Sequence, residues 1–264
     1  MSASIPNIEI KNAVELEITT KCHLKCFNCD RSCRQAPSDE RMSLKQIKLF
    51  LDETRTNQRQ WEYIAILGGE PTLHPKFWKI LDEFIKNNIR AEIITNGYGE
   101  IVNHALNQLP NNWFSVCNTK KQSPYQSFIY YNLAPIDFGI KNAPPCWILK
   151  TCGYGLTRYG YYPCGAGASI DRVFGFDIGV KSLKNLTPEN TTKQLEILCK
   201  YCGHSPTMDE LQSSGKINVN NYETEKELAL DYNKCIAPMS ESWIKAYDKY
   251  KKNKPKLRLY GNEV

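Results

Sequence analysis

No apolar run in this chain approaches the ~20 residues that a membrane-spanning helix requires, which excludes a helical membrane anchor. Met1 to Asn12 lack the charged head and greasy middle of a secretory signal. Internal repeats and long low-complexity segments are missing too. The expectation from these absences is a cytoplasmic protein. What is present is a chain of 264 residues with 41% apolar content, enough for one barrel-sized domain or one domain with an appendage. Its eleven cysteines are clustered, and in a cytosolic chain of this size clustered cysteines bind metal more often than they form disulfides. Formal charge is +6, concentrated in the terminal KYKKNKPKLR. A basic tail on an otherwise balanced chain reads as a solvated end rather than a nucleic-acid surface.

The chain is organised around Val14 to Cys33, VELEITTKCHLKCFNCDRSC. Val14 to Thr19 alternate apolar and polar residues, the pattern of a strand, and four cysteines follow within twelve residues. Cys22, Cys26 and Cys29 have the spacing Cys-x3-Cys-x2-Cys, so one loop can wrap three thiolates around three corners of a cubane. A 4Fe-4S cluster fed by four thiolates is closed; one fed by three keeps an iron open to another ligand. Cys33 offers a fourth thiolate, and with it the loop could instead form a closed zinc or ferredoxin-like site.

The three-cysteine pattern resembles the signature of the radical S-adenosylmethionine (radical SAM) enzymes, and Phe27, just after the second cysteine, matches that pattern as well. The resemblance implies that S-adenosylmethionine chelates the open iron. Gly68, Gly69, Glu70 and Pro71 form GGEP at the end of the next strand. Two glycines let backbone approach a ligand closely, and a carboxylate can accept hydrogen bonds from an amine. In the family the matching segment binds the methionyl amino group of the cofactor. Asn96 follows the third expected strand in Thr95-Asn96-Gly97, where family residues approach the cofactor, and Asn118 ends the fourth. Cys117, also at that strand end, is the candidate catalytic thiol. His23 and His74 read as structural.

Strand and helix alternate from Val14 to Cys117: strands at Val14–Thr19, Trp61–Leu67, Ala91–Thr95 and Trp113–Cys117, and helices after Ser43, from Pro75 and around Ile101 to Leu109. This order implies parallel strands joined by crossovers, with chemistry at their carboxyl ends. A further strand is expected over Ala134 to Ile140. A complete eight-unit barrel takes ~250 residues, so the fold class is α/β, a truncated (β/α) partial TIM barrel over residues 1–142, with a cysteine-rich module over 143–264. Two closing helices are expected, Tyr222–Asn233 and Ser240–Lys252, the latter with Trp243, Ile244, Tyr247 and Tyr250 inward.

Cys146, Cys164, Cys199 and Cys202 form the second constellation. The stretch Leu156 to Cys164 reads as a β-hairpin, and Cys199 and Cys202 end a helix starting near Pro188. Four thiols make a closed site for zinc or a 4Fe-4S cluster. Cys152 could replace Cys146 as the first ligand. The arrangement is similar to the twitch module, the short form of the SPASM domain, which implies a second, auxiliary 4Fe-4S cluster. In architecture the chain resembles the butirosin-pathway aminocyclitol dehydrogenase type.

The resemblance implies reductive cleavage of S-adenosylmethionine to a 5'-deoxyadenosyl radical that abstracts hydrogen from the substrate, with an external donor such as flavodoxin or ferredoxin. The expected reaction is a two-electron oxidation with the auxiliary cluster as electron acceptor. Only twenty-one residues precede Cys22, which favours a small, polar, sugar- or cyclitol-like substrate over a peptide. A peptide maturase, an epimerase using Cys117 or Cys235, and a non-catalytic zinc or iron-sulfur protein are the alternatives.

Overall fold

The computed structural model describes residues 8–24, 29–33, 39–118, 134–139, 146–204 and 240–262. Its centre is a six-stranded sheet in the order β4-β3-β2-β1-β5-β6. The strands are β1 (Ala13–Thr19), β2 (Tyr63–Gly68), β3 (Ala91–Thr95), β4 (Phe114–Asn118), β5 (Tyr154–Thr157) and β6 (Gly160–Tyr162). The first five are parallel to their neighbours, and β6 returns antiparallel beside β5. Helices α1 (Leu44–Thr56), α2 (Phe77–Lys86) and α3 (Glu100–Asn107) make the crossovers between the first four strands. This is a mixed α/β fold consistent with a partial (β/α) barrel. No helix among the described residues is long and apolar enough to cross a membrane.

Local sequence explains the helices. Ser43 and Gln46 form a reciprocal cap on α1, with Gln46 N donating to Ser43 Oγ (3.2 Å) and Ser43 N to Gln46 Oε1 (3.0 Å). α2 begins at Phe77, two residues later than Pro75 suggests. The cause is His74: its buried ring accepts Lys76 N–H at Nδ1 (3.0 Å) and reaches the Met42 carbonyl through Nε2 (3.1 Å), holding the chain in a turn. In α3 only Val102 and Ala105 are buried, and Ile101 faces solvent.

One face of the sheet carries Val14, Leu16, Ile18, Ile64, Ile66, Ile93 and Phe114, packed on Ile47, Phe50, Leu51, Ile80 and Phe84 of α1 and α2. Each such side chain contributes about 1.5–3 kcal/mol on burial, so this layer holds the strand ends in place. On the other face of β1, Glu15 and Glu17 are each only 6% exposed. Arg31 Nη2 donates to Glu15 Oε2 at 2.5 Å. Arg172 stands 3.8 Å from Glu17 and 3.9 Å from Glu40, and its Nη2 donates to the Arg31 carbonyl. Arg172 lies on α5 (Gly165–Phe174), and Ser169 of the same helix donates to the Asp30 carbonyl at 3.0 Å. Asp30 and Arg31 are thus clamped between β1 and α5. Removing one member of such a buried pair costs about 3–5 kcal/mol.

Beyond Asn142, β5 and β6 form the expected hairpin, but β5 also pairs in parallel with β1, Val14 opposite Tyr154, so the hairpin continues the main sheet. Residues 148–151 form the short α4, and α6 spans Pro188–Leu198, starting at the proline as expected. The strand expected over Ala134–Ile140 is instead a 3-10 turn, Pro135–Phe138, closed by Gly139 in a left-handed conformation. Pro135 has no N–H to give to a ladder, and Asp137 instead takes Ser242 N (2.8 Å) and Ser242 Oγ (2.6 Å) at the start of α7 (Glu241–Lys252). Trp243 and Tyr250 of α7 are buried as expected, whereas Ile244 is exposed. The helix expected at Tyr222–Asn233 lies outside the described residues.

Candidate functional site

The carboxyl ends of β1 to β4 converge as the alternation implies, and the GGEP turn is built into the start of the cysteine loop. Gly69 N donates to the Thr19 carbonyl and Glu70 N to the Lys21 carbonyl, both at 2.8 Å. A side chain on Gly68 would run into the Thr19 carbonyl, and one on Gly69 into that of Lys21. The glycines therefore let this turn close onto the backbone of Thr19 and Lys21.

Glu70 is 0% exposed. Its Oε1 accepts from Thr72 N (3.2 Å), Thr72 Oγ1 (2.7 Å) and Thr95 Oγ1 (3.0 Å), and its Oε2 from Thr95 Oγ1 (2.9 Å) and Asn96 N (2.9 Å). The carboxylate is committed to joining the end of β2 to that of β3, and caps the turn opened by Pro71. Asn96 is buried, accepts Tyr98 N through Oδ1 (2.8 Å), and directs Nδ2 to Cys22 Sγ at 3.8 Å. Asn118 pairs with Thr95 across β3 and β4, its side chain against Gly97.

Of the loop cysteines, Cys22, Cys29 and Cys33 are described, while Cys26 and Phe27 lie outside the described residues. Cys33 hydrogen-bonds Cys29, which lowers the Cys29 pKa from its ordinary value; the same bond, with burial, lifts Cys33 well above its own. Donor chemistry here fits an iron-sulfur cluster: Cys22 and Cys29 supply sulfur, and the Asn96 amide N–H is directed at the Cys22 sulfur. Cys117 is half-buried on the face of β4 opposite the apolar core, the face that also carries Ser115 and, on β3, Glu92. Glu92 Oε2 accepts the Tyr63 hydroxyl at 2.5 Å, so this face is polar. Cys235 lies outside the described residues.

The second constellation comes together. Cys146, Cys164, Cys199 and Cys202 line a single cavity with Ile148, Leu198 and His204, and Cys152 is not among its lining residues. Cys164 caps α5 and accepts Gly167 N at 3.3 Å, and Cys202 accepts His204 N at 3.4 Å. Burial, with the proximity of the other thiols, raises Cys164 and Cys202 well above an ordinary thiol and pushes Cys199 up to about 12. Burial also lowers His204 to about 4. Four thiols around one apolar wall fit a bound metal centre, whose loading would displace their protons. Among the described residues no three Cys, His, Asp or Glu side chains are grouped tightly enough for a single ion.

Sequence reasoning missed Arg31 and Arg172. Arg31 stood inside the central stretch, but nothing local announces that its partner is Glu15 or that its guanidinium reaches the second cysteine group.

Residues 16–115 match the family model described as the Radical SAM superfamily. The chain is 35% identical over 81 residues to the mycofactocin maturase MftC of Mycobacterium tuberculosis, an alignment covering 31% of this chain and 20% of that protein. The chain thus aligns with about a fifth of the length of the curated relatives it matches. Among solved structures, BtrN in complex with AdoMet and 2-DOIA is 12% identical, with a TM-score of 0.46 over 75% of this chain and 93% of that one. Streptococcus suis SuiB bound to precursor peptide SuiA is 20% identical, with a TM-score of 0.33 over 41% and 24%.

Proposed function

We propose that this chain, whose residues 16–115 carry a radical SAM domain, is an oxidoreductase that removes two electrons from a small polar substrate. The observation that carries the reading is the cavity lined by Cys146, Cys164, Cys199 and Cys202. A cluster held by four protein thiolates has no open iron for substrate, so its role is electron transfer.

In this reading Cys22, Cys26 and Cys29 hold the first 4Fe-4S cluster. Phe27, Gly68, Gly69, Pro71, Asn96 and Asn118 would bind S-adenosylmethionine. When bound, cluster and S-adenosylmethionine supply a 5'-deoxyadenosyl radical able to take a hydrogen atom from an unactivated carbon. The chain's own residues do the positioning. Glu70 fixes the β2 and β3 ends relative to each other, and the face bearing Cys117, Ser115, Glu92 and Tyr63 offers hydroxyl and carboxylate partners to a substrate rich in hydroxyl or amino groups. A one-electron donor of the flavodoxin or ferredoxin kind would reduce the first cluster. The twitch-like module then begins after residue 142 and shares its first hairpin with the barrel sheet.

Peptide maturation is the second reading, favoured by the 35% identity to a mycofactocin maturase. Both share one test. Anaerobically reconstituted protein should hold about eight irons as two cubanes. Cys146→Ala should reduce this to about four, whereas Cys152→Ala should leave it unchanged. Reduced protein should release 5'-deoxyadenosine from S-adenosylmethionine, and a substrate two mass units lighter after turnover, small molecule or peptide, separates the two readings. A colourless zinc protein without this cleavage would overturn both.

A further inference from the structure

Arg31 follows Cys29 by two residues, yet its side chain leaves the first cysteine loop and ends beside the second cysteine group. Nη2 is held by Glu15 at 2.5 Å. Nη1 is buried, has no hydrogen-bond partner, and lies against Gly165, where any side chain would run into it. Gly165 is the first residue of α5 and the neighbour of Cys164, whose sulfur accepts the Gly167 N–H. The Cys164 sulfur therefore sits at the positive end of a ten-residue helix, with a guanidinium laid on that helix's first turn.

We propose, on the reading of Cys146, Cys164, Cys199 and Cys202 as auxiliary-cluster ligands, that Arg31 is the positioning charge that raises this cluster's reduction potential enough for it to accept the substrate's electron. A four-thiolate cubane carries net negative charge that grows by one on reduction. A buried cation beside it favours the reduced form, and being out of water it is little screened. Charge near a cluster is among the protein's main controls on its potential. Glu15, paired with Arg31, tempers the effect.

The substrate C–H hydrogen atom leaves to the 5'-deoxyadenosyl radical, giving 5'-deoxyadenosine. One electron then passes from the substrate radical to the oxidised auxiliary cluster and one proton to water, leaving a product oxidised by two electrons. With Arg31 on the first loop and its charge at the second group, one residue joins the two centres.

The test uses full-length protein with Cys22, Cys26 and Cys29 replaced by alanine, so that the auxiliary cluster alone is titrated, its potential followed by electron paramagnetic resonance. Arg31→Met should shift the equilibrium at least tenfold toward the oxidised form, about 59 mV for one electron. Arg31→Lys should stay within threefold of the parent. Glu15→Gln should shift it the other way, because the guanidinium loses its counter-charge. Shifts of the same sign in Arg31→Met and Glu15→Gln, or less than threefold in Arg31→Met, would overturn the inference. If Arg31→Met takes up no iron, Glu15→Gln decides: a higher potential supports the assignment, an unchanged or lower one refutes it. Absence of any cubane in the triple-alanine parent removes the auxiliary-cluster reading itself and this inference with it, an outcome distinct from a cubane whose potential ignores Arg31.

Discussion

Truncating Glu70 to alanine should weaken the metal-free protein before any ligand is added. The side chain is wholly buried and accepts from the backbone N–H of Asn96 and Thr72 and from the hydroxyls of Thr72 and Thr95. Hydroxyls can rotate to other acceptors, but the backbone donors cannot. A buried donor left without a partner costs about 1–3 kcal/mol. Asn96 is buried and bears this in full, while Thr72 is half-buried and bears roughly half. The sum is about 2–4 kcal/mol, a large part of the roughly 5–15 kcal/mol that holds a typical domain together. With a urea slope on the order of 3 kcal/mol/M, the midpoint should fall by about 1 M at unchanged slope. Glu70→Gln keeps one acceptor oxygen and should lose about half as much. Urea titration of iron-free protein, followed by far-ultraviolet circular dichroism, checks both. An Ala variant with the parental midpoint that loses only S-adenosylmethionine binding would show that the carboxylate faces the ligand, and the structural assignment of Glu70 would be wrong.

Burial lowers the His74 pKa below its ordinary value, and the ring accepts Lys76 N–H in its neutral form. Its stabilisation is therefore complete above the unfolded value of about 6.5 and lost as pH falls through the lower folded one, with a slope of up to about 1.4 kcal/mol per pH unit. Urea midpoints measured from pH 7 to pH 5 should fall more steeply in the parent than in His74→Gln, and equal slopes would refute this role. Cys33→Ala should keep the first cluster's iron and the cleavage of S-adenosylmethionine, because the proposed open cluster takes its three thiolates from Cys22, Cys26 and Cys29. Loss of about four irons per chain would instead mark Cys33 as a ligand of a closed cluster.

The crossover architecture was legible because β1 to β4 and their helices carry period-2 and period-3.6 patterns that local rules read directly. The capping pair Ser43 and Gln46 and the helix start at Pro188 are likewise local signals. Failures came where partners are distant or geometry competes. Glu15 and Glu17 are the polar half of an alternating strand, and the ion pairs with Arg31 and Arg172 that bury them join residues far apart in sequence. Ala134 to Ile140 had strand composition, yet Pro135 and the left-handed Gly139 impose a turn that Asp137 ties to α7. Ile101 and Ile244 continued helical stripes whose ends nothing covers among the described residues. At the site, the sequence placed Gly68 to Pro71, Asn96 and Asn118 at strand ends, but the contacts of each come only from the fold. That Glu70 ties Thr72, Thr95 and Asn96 together is visible only from its hydrogen-bond partners.

The parallel pairing of β5 with β1 has a consequence for how the molecule is made. During synthesis from the ribosome, Val14 emerges some 140 residues before Tyr154, its eventual neighbour. Until then the left flank of the nascent sheet is an open template for any extended peptide nearby, the kind of transient edge that draws chains into aggregates. A closing contact so remote in sequence also slows the search for the native state. Expression of a fragment ending near Asn142 should accordingly yield insoluble material, and slower growth at low temperature should favour recovery of the intact chain.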